Sequence, residues 1–427
     1  MNSLATAPPS PPTPVLACHE CGLVQRVHEL PPGAGATCAQ CGATLYSRHR
    51  GGLERVLAWY VTALVLFVLA NSFPFITLTL EGRQQPSLLL SGGLALWRSG
   101  MELLAGLVLA AAIVMPLVKI LVALWVLVPV HLGRLPPLAA PAIRALEAIG
   151  PWAMMEVYLL GVLVAYVKLI DLATLELGVS LWAFVALIVV MIAADAALDK
   201  RDLWERLAPQ ATTADLRAGG GALVSCHTCE QLVRLAKGRS HGHCPRCGAA
   251  LHPRKPDSLN RTWALVLTAA ILYVPANVLP VMTVVYFGRG EPDTILSGVK
   301  ELIAGGMWPL ALLVFFASIL VPMLKLSGLT FLLISVQRGS TWRRRDRTLL
   351  YRIIEAIGRW SMIDIFMIGI LAALVNLGAI ATIEPGLGAV CFAAVVVITI
   401  LASMSFDPRL IWDVENAELA RPQALRA

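Results

Sequence analysis

The chain has 427 residues, of which 57% are hydrophobic and only 14% are charged. Soluble domains carry about a quarter charged residues, so this composition argues against a soluble globular enzyme. Basic residues exceed acidic residues by seven. The positions of the basic residues decide whether this surplus serves nucleic acid, anionic lipid or membrane topology.

Residues 1–14 are rich in Pro, Ser, Thr and Ala and lack the apolar core of a signal peptide. We predict a disordered tail here. The cysteines that follow are grouped in close pairs, with the spacing C-x2-C-x16-C-x2-C in the first set and C-x2-C-x14-C-x2-C in the second. The sets are Cys18, Cys21, Cys38 and Cys41, and Cys226, Cys229, Cys244 and Cys247.

Four thiolates in two pairs supply the tetrahedral sulfur cage that Zn²⁺ prefers, and they leave no position for a catalytic water. The spacing therefore predicts two structural zinc ribbons, over residues 15–50 and 223–255. Disulfides are disfavoured if these segments lie in the reducing cytosol, as the charge distribution indicates. A thioredoxin-like redox pair would need a βαβ context, which is missing.

Eight apolar stretches are close to or beyond the roughly 20 residues that a spanning helix needs. Backbone polar groups must pair internally in lipid, and the alternating pattern of barrel strands is absent. We therefore predict an all-α polytopic membrane protein with eight transmembrane helices. The stretches are 53–75, 101–130, 152–170, 176–198, 259–284, 302–336, 353–380 and 386–406.

Basic residues are concentrated in the segments on one side of these stretches. Of the 34 Lys and Arg residues, 26 lie in the termini, the segment 199–262 and the loops 131–145 and 337–352, whereas the opposite side holds Arg83, Arg98, Arg289 and Lys300. Short basic loops stay in the cytoplasm. The distribution predicts an inner-membrane protein with both termini cytoplasmic. No basic stripe with interleaved aromatics indicates nucleic-acid binding.

The two halves of the chain repeat the same motifs at a constant displacement of 206 to 208 residues. Each half is a zinc ribbon followed by four helices, over residues 51–206 and 256–414, with a linker at 207–222 and a tail at 415–427. An even number of helices gives both units the same orientation, so the repeats are parallel, unlike those of inverted-repeat transporters. The first-half motifs are Asn71-x-x-Pro74, Pro116-x-x-Lys119, Glu147-Ala-Ile-Gly-x-Trp-x-Met154 and Asp199-x-Arg201-x-x-Trp204.

These ordered motifs, with the paired cysteines before each block, resemble the paraquat-inducible protein A family over essentially the whole chain. The resemblance implies an inner-membrane protein of Gram-negative bacteria that works with a periplasmic MCE-domain tunnel protein in lipid trafficking. None of that partner chemistry is visible in the sequence itself.

Ionisable groups at membrane depth each cost a few kcal/mol unless paired or hydrated, so they are functional candidates. In the second unit Lys325 and Ser318 share one helix face, Asp364 lies inside the next helix and Thr399 lies in the eighth. We predict that these four form a polar cluster that carries transport as a proton relay. A buried ion pair that only fixes helix packing is the alternative.

The first unit keeps Lys119 and Glu156 at the positions that correspond to Lys325 and Asp364. Neither hydroxyl is present, because Ala112 and Met191 replace them. Lys168 and Asp171 form a further candidate pair at the far end of the third helix. The asymmetry predicts that the second unit carries the working site.

No phosphate loop, nucleophile elbow or H-E-x-x-H helix occurs, so we expect no enzyme. The main hypothesis is an inner-membrane component that passes lipid to a periplasmic partner. The alternatives are a zinc-ribbon scaffold that anchors an envelope complex and, third, an efflux protein for small molecules. An anchor has no need to bury charge, so the intramembrane polar residues favour transport.

Overall fold

The computed structural model describes residues 15–26, 30–31, 33–47, 52–80, 83–134, 136–170, 174–207, 223–236, 241–286, 289–375 and 381–413. The predicted tails, 1–14 and 415–427, and nearly all of the predicted linker lie outside these ranges. In the described chain, eight helices are long and apolar enough to cross a membrane, which confirms the predicted fold class. They are Leu53–Ser72, Glu102–His131, Ala139–Val167, Val179–Ala197, Ser258–Val278, Trp308–Gln337, Arg344–Leu374 and Leu387–Ser405.

Several of these helices are built from shorter pieces, and short helices flank them. The pieces of the first unit are α1 (Leu53–Ser72), α2 (Ser91–Arg98), α3 (Glu102–Leu109), α4 (Met115–His131), α5 (Ala139–Ile149), α6 (Met155–Leu169), α7 (Val179–Ala197) and α8 (Lys200–Leu207). Those of the second unit are α9 (Ser258–Val278), α10 (Ile295–Ala304), α11 (Trp308–Phe315), α12 (Val321–Gln337), α13 (Arg344–Gly358), α14 (Ile363–Leu374) and α15 (Leu387–Ser405).

A π-helical turn lies just before the proline of the second membrane helix in each unit, at Ala110–Val114 and Phe316–Leu320. Proline has no N–H, and its ring clashes with the carbonyl four residues earlier. The helix widens instead: the Met115 N–H bonds to the Ala110 carbonyl, five residues back, and a matching bond ends the second turn. Ser318 lies in this widened turn, four residues before Pro322.

The third membrane helix of each unit starts earlier than the sequence predicts. A 3₁₀ turn joins α5 to α6 at Gly150–Trp152, and another joins α13 to α14 at Arg359–Met362. The amphipathic pieces α5 and α13 carry charged residues, so hydropathy alone assigns them to loops. The E-A-I-G-x-W-x-M motif is the sequence of this junction.

Two small antiparallel sheets lie at the end of the helices opposite the cysteine-bearing segments, in stretches for which the sequence predicts helix or loop. The first has the order β6-β5-β7, from Arg83–Ser87, Ile76–Leu80 and Thr174–Leu177. The second has the order β13-β12-β14, from Arg289–Asp293, Met282–Tyr286 and Ala381–Pro385. The central strand pairs Ile76 with Ser87 and Leu177 in one sheet, and Met282 with Asp293 and Pro385 in the other.

Each cysteine-bearing segment consists of two β-hairpins. Ribbon 1, residues 15–47, has strands β1 (Val15–Ala17), β2 (Val24–Arg26), β3 (Gly35–Thr37) and β4 (Thr44–Ser47). Ribbon 2, residues 223–255, has strands β8 (Leu223–Ser225), β9 (Leu232–Arg234), β10 (Gly242–His243) and β11 (Ala250–Leu251). The side of the helical region that they cover is called the ribbon side below.

The ribbons pack crosswise on the two units. The cysteines of ribbon 1 share one hydrophobic cluster with residues of the second unit, among them Leu329 and Tyr351. The cysteines of ribbon 2 belong to the cluster built on the first unit, and the Arg246 guanidinium lies 5.8 Å from the centre of the Trp204 ring. Each ribbon therefore ties its own unit to the other.

Helix α14 lies at the centre of the molecule, and all twelve of its residues are buried. It packs against α6 and α2 of the first unit. Gly161 on α6 and Gly369 on α14, which occupy equivalent positions of the repeat, allow these backbones to approach closely. The interface between the units thus forms the core, and Asp364 lies on its central helix.

Candidate functional site

The four cysteines of ribbon 1 converge on one point and are all buried. The Sγ atoms of Cys18 and Cys41 lie 3.5 Å apart, as do those of Cys21 and Cys38. Gly22 and Gly42 follow the second cysteine of each pair with φ of 78° and 72°, in the left-handed region that favours glycine. The Gly22 N–H donates to the Cys18 carbonyl at 2.9 Å and closes the turn.

Ribbon 2 repeats this arrangement with one departure from the glycine pattern. The Sγ distances are 3.4 Å for Cys226 and Cys247 and 3.5 Å for Cys229 and Cys244. Gly248 has φ of 71°, but the equivalent of Gly22 is Glu230, which takes φ of 57° without being glycine. The left-handed turn is therefore formed in both ribbons.

Both cysteine groups have the geometry that a tetrahedral thiolate site requires. All four sulfurs in each group lie within 4.8 Å of one another. A metal–sulfur bond of about 2.3 Å implies sulfur separations of about 3.8 Å in a tetrahedron, close to those observed. The predicted capacity to bind metal ions is confirmed, and the identity of the metal stays a prediction.

His227, next to Cys226, is engaged away from the sulfur group. Its Nε2 lies 3.3 Å from Nη2 of Arg409. Burial, with the nearby charge of Arg409, lowers the pKa of His227 to about 4, so the ring is neutral at pH 7. Arg409 itself bonds to Asp407, and this D-x-R motif therefore fixes ribbon 2 against the end of the second unit.

Ribbon 1 is held by Arg352 of α13. The Arg352 guanidinium donates to both carboxylate oxygens of Glu20, and its Nη2 donates to the Cys41 carbonyl at 3.2 Å. Burial of Glu20 disfavours its charged form, but hydrogen bonds from His19 and Arg352 outweigh burial and lower the Glu20 pKa below its ordinary value. The cysteine group is thereby coupled to a residue of the second membrane unit.

Lys325 of α12 is buried, with 1% of its surface exposed. Its Nζ donates to Thr399 Oγ1 at 2.7 Å and to the Gly358 carbonyl at 3.4 Å. The Thr399 hydroxyl in turn donates to the Val396 carbonyl at 2.9 Å. The structure thus brings together two of the four predicted cluster residues, from helices α12 and α15, at the end of α13.

Asp364 and Ser318 are both buried, with 4% and 0% of their surfaces exposed. Asp364 lies in the wall of a cavity of about 30 Å³ beside Val314 and Met367. Ser318 Oγ has no hydrogen-bond partner among the described residues. Their joint action with Lys325 and Thr399 stays a prediction.

In the first unit the corresponding lysine has a different partner from the one that the sequence suggests. Lys119 Nζ lies 2.5 Å from Asp195 Oδ2 in α7, and the Tyr60 hydroxyl donates to Asp195 Oδ1 at 3.1 Å. Glu156 is exposed at the start of α6. Asp171 and the side chain of Lys168 lie outside the part of the chain that the structure describes.

Asp195 and Tyr60 are site residues that the sequence motifs do not single out. The available signal was an acidic residue in the last turn of an apolar helix, where a carboxylate at the membrane surface favours a cation as its partner. In both units the lysine of the second membrane helix reaches the fourth helix. The lysine donates to the Asp195 carboxylate in the first unit and to the Thr399 hydroxyl in the second.

A cavity of about 580 Å³ opens between the units near the ribbon side. Lys119, Asp195 and Tyr60 line it from the first unit, while Arg352 and Gly358 line it from the second. The Gly358 carbonyl accepts the hydrogen bond from Lys325. The cavity wall therefore connects the lysine sites of the two units.

Comparisons with known proteins agree with the repeat and with the motif order. The family model described as Paraquat-inducible protein A matches residues 53–208 and again 259–415. The chain is 34% identical over 408 residues to the Intermembrane transport protein PqiA of Escherichia coli (strain K12), covering 93% of this chain and 95% of that protein.

Two further relatives match over nearly their whole length. Identity is 32% to the Lipophilic envelope-spanning tunnel protein A of Escherichia coli (strain K12), covering 95% of this chain and 92% of the relative. It is 29% to a Probable intermembrane transport protein of Haemophilus influenzae, covering 96% and 98%. No solved structure matches the chain.

Proposed function

Because the chain belongs to the paraquat-inducible protein A family, we propose that it passes lipid between the bacterial inner membrane and a periplasmic MCE-domain tunnel protein. Relatives that match almost the whole chain are named for intermembrane transport and for an envelope-spanning tunnel. These names imply a partner across the periplasm, and the MCE-domain type is the one that the family resemblance suggests.

The membrane topology in this proposal places the ribbons and both termini in the cytoplasm. The support is the concentration of Lys and Arg in the short segments on the ribbon side, which the positive-inside tendency assigns to the cytoplasm. The two small sheets then face the periplasm, where a tunnel partner would dock.

Each ribbon holds one structural Zn²⁺ through its four thiolates in this proposal. Two pairs of buried cysteines in a reducing compartment favour zinc over disulfides. When bound, the ion closes the two hairpins of a ribbon into one unit. Its role is to keep Glu20 and the Cys41 carbonyl in place against Arg352, so that the ribbon stays docked on α13.

The observation that carries the transport proposal is the buried Lys325–Thr399 contact at the junction of three helices. A lysine amine costs several kcal/mol to bury, and a merely structural contact between helices does not require one. Asp364 lies on the adjacent central helix, α14. Protonation of Asp364 would change the charge balance along these helices. Lys325 would then exchange its hydrogen-bond partner, and the accompanying helix movement would change the access of lipid to the space between the helices.

The test is complementation of an envelope-sensitised deletion strain by variants whose abundance in the membrane is measured in parallel. Asp364→Asn keeps the shape of the side chain and removes its charge, so we expect loss of function at normal abundance. Glu156→Gln is the matched control, because Glu156 is the equivalent position of the first unit and is exposed. We expect it to complement like the wild type.

Two results would contradict the proposal. Full complementation by Asp364→Asn would exclude a protonation-coupled role for this residue. Loss of function that follows loss of protein would assign Asp364 to folding. Lipid that co-purifies with the wild-type chain, identified by mass spectrometry, tests the transport class independently, since a scaffold needs no bound lipid.

A further inference from the structure

The cavity between the units has the size of a small-molecule site. Its volume is about 580 Å³, and ligand pockets typically range from about 300 to 1,000 Å³. Helices of both units form its walls, so neither unit alone contains it. It lies near the ribbon side, at the level where the α7 helix ends.

The charged side chains that line this cavity are of both signs. Three basic residues, Lys119, Lys200 and Arg352, line it together with three acidic residues, Glu147, Asp195 and Glu355. A site for a purely anionic ligand would carry an excess of cations. The presence of both signs instead matches a ligand that carries one positive and one negative group.

The pair formed by Lys200 and Glu147 is held more loosely than the pair formed by Lys119 and Asp195. Lys200 Nζ lies 3.6 Å from Glu147 Oε1, beyond hydrogen-bond distance, and the Lys200 side chain is 62% exposed. By contrast, Lys119 and Asp195 are 2.5 Å apart, with the lysine side chain only 11% exposed. A ligand can therefore separate Lys200 from Glu147 at little cost and take both as partners.

Apart from Tyr60 and Ser403, the rest of the lining carries no polar side chain. Leu146, Leu198, Ile400 and Met404 line the cavity beside the charged groups. Met404 is 37% exposed, and it is the last residue but one of α15. Charged groups beside apolar side chains at the end of membrane helices suit an amphiphile whose headgroup lies in the cavity and whose chains extend into the membrane.

We propose that this cavity binds the headgroup of a zwitterionic glycerophospholipid, with a phosphate and a primary amine. The phosphate contacts Lys200 at the rim, and the ammonium contacts Glu147. This inference rests on the proposed function, because it names the class of lipid that enters and the place where the chain receives it. Gly358 also lines the cavity, and its carbonyl accepts the hydrogen bond from Lys325, so the wall of the headgroup site contacts the Lys325 site.

The experiment uses the full chain in vesicles with equal amounts of phosphatidylethanolamine and phosphatidylglycerol. A photoreactive benzoylphenylalanine replaces Met404, and lipid adducts formed on irradiation are counted by mass spectrometry. The same replacement at Leu163, which is 53% exposed on α6 and does not line the cavity, reports the bulk lipid ratio. We expect phosphatidylethanolamine to be enriched about tenfold at Met404 relative to Leu163, the ratio for one charge-assisted hydrogen bond.

Glu147→Gln and Lys200→Gln, each combined with the photoreactive residue at Met404, test the two headgroup contacts. We expect either substitution to bring the adduct ratio close to that at Leu163. Lys200 is mostly exposed, so Lys200→Gln leaves the fold intact even if Glu147→Gln does not. Three results would overturn the site. The first is a ratio of lipid adducts at Met404, without further substitutions, that equals the ratio at Leu163; the second is the absence of any lipid adduct at Met404. The third is an enrichment that persists in both the Glu147→Gln and the Lys200→Gln variant.

Failure of this site and failure of the proposed function give different results. Lys325 does not line the cavity, so the Lys325→Ala variant should keep the enrichment at Met404 and lose complementation. If phosphatidylethanolamine is not enriched at Met404 while complementation still requires Lys325, the headgroup site alone is rejected. If the enrichment at Met404 is as expected and Lys325→Ala complements fully, the role of Lys325 in transport is rejected and the headgroup site stands.

Discussion

Gly161 of the first unit packs directly against α14 of the second, and its replacement by alanine tests the central interface. A Cβ at this position would lie 2.9 Å from Phe366 Cβ, and 3.2 Å from the Ile363 carbonyl oxygen and from the Met367 nitrogen. All three atoms belong to the first turns of α14, around Asp364. None is the end of a flexible side chain, so α14 has to move as a whole.

The expected magnitude comes from two opposing effects. Alanine in place of glycine favours a helix by about 1 kcal/mol. Overpacking of a rigid core costs about 1 to 3 kcal/mol. Gly106→Ala is the matched control, since Gly106 is also helical and a Cβ there would meet nothing within 4 Å. The difference between the two variants isolates the overpacking cost.

The assay is the midpoint of thermal unfolding of the purified chain in detergent, together with complementation. We expect Gly106→Ala to unfold at or above the wild-type midpoint and Gly161→Ala several degrees below it. We also expect weaker complementation by Gly161→Ala, because the displaced turn carries Asp364. Equal midpoints for the two variants would refute the reasoning that these helices are in rigid contact.

Four further predictions concern the buried lysine, the metal, the topology and a buried ion pair. Lys325→Met removes a costly buried amine while Thr399 keeps its bond to Val396, so we expect unchanged or higher thermal stability with loss of complementation. Elemental analysis of the purified chain should give about two zinc ions per chain, and Cys18→Ser should lower both zinc content and abundance. Reporters fused at the C-terminus or inserted within 199–262 should read cytoplasm, and reporters near residue 82 or 289 should read periplasm. Asp407→Asn should lower stability by about 3 to 5 kcal/mol at pH 7, because it leaves Arg409 buried without its carboxylate.

The pH dependence of the last variant follows from the pKa of Asp407. Burial opposes ionisation, but the hydrogen bonds and charge of Arg409 outweigh it, so this pKa lies below its ordinary value. The pair therefore contributes stability above about pH 4, and that contribution is lost as the pH falls through the lowered pKa. The difference in stability between Asp407→Asn and the wild type should shrink at acid pH.

Each of the four predictions has an outcome that would contradict it. A Lys325→Met protein that complements fully would remove Lys325 from transport. Less than one zinc per chain, with free thiols or disulfides, would exclude the zinc ribbons. A periplasmic reading from 199–262 would contradict the parallel repeats, and an Asp407→Asn difference that is constant from pH 7 to pH 3 would show that its charge does not contribute.

The sequence by itself determined the features that depend on local composition and spacing. Eight membrane helices follow from apolar runs longer than a bilayer requires, and two metal-binding ribbons follow from paired cysteines. The repeat and the family follow from the motif order. These properties do not depend on contacts between distant residues, so the amino-acid sequence is sufficient to predict them.

Tertiary structure alone decided which buried groups meet. Lys325 and Thr399 are 74 residues apart, and Glu20 and Arg352 are 332 apart. Nothing local specifies the crosswise docking of the ribbons, the choice of Asp195 as the partner of Lys119, or the cavity between the units. Hydropathy records whether a residue prefers lipid or water, whereas a buried charge also needs one particular partner, and the packing of helices in three dimensions supplies it.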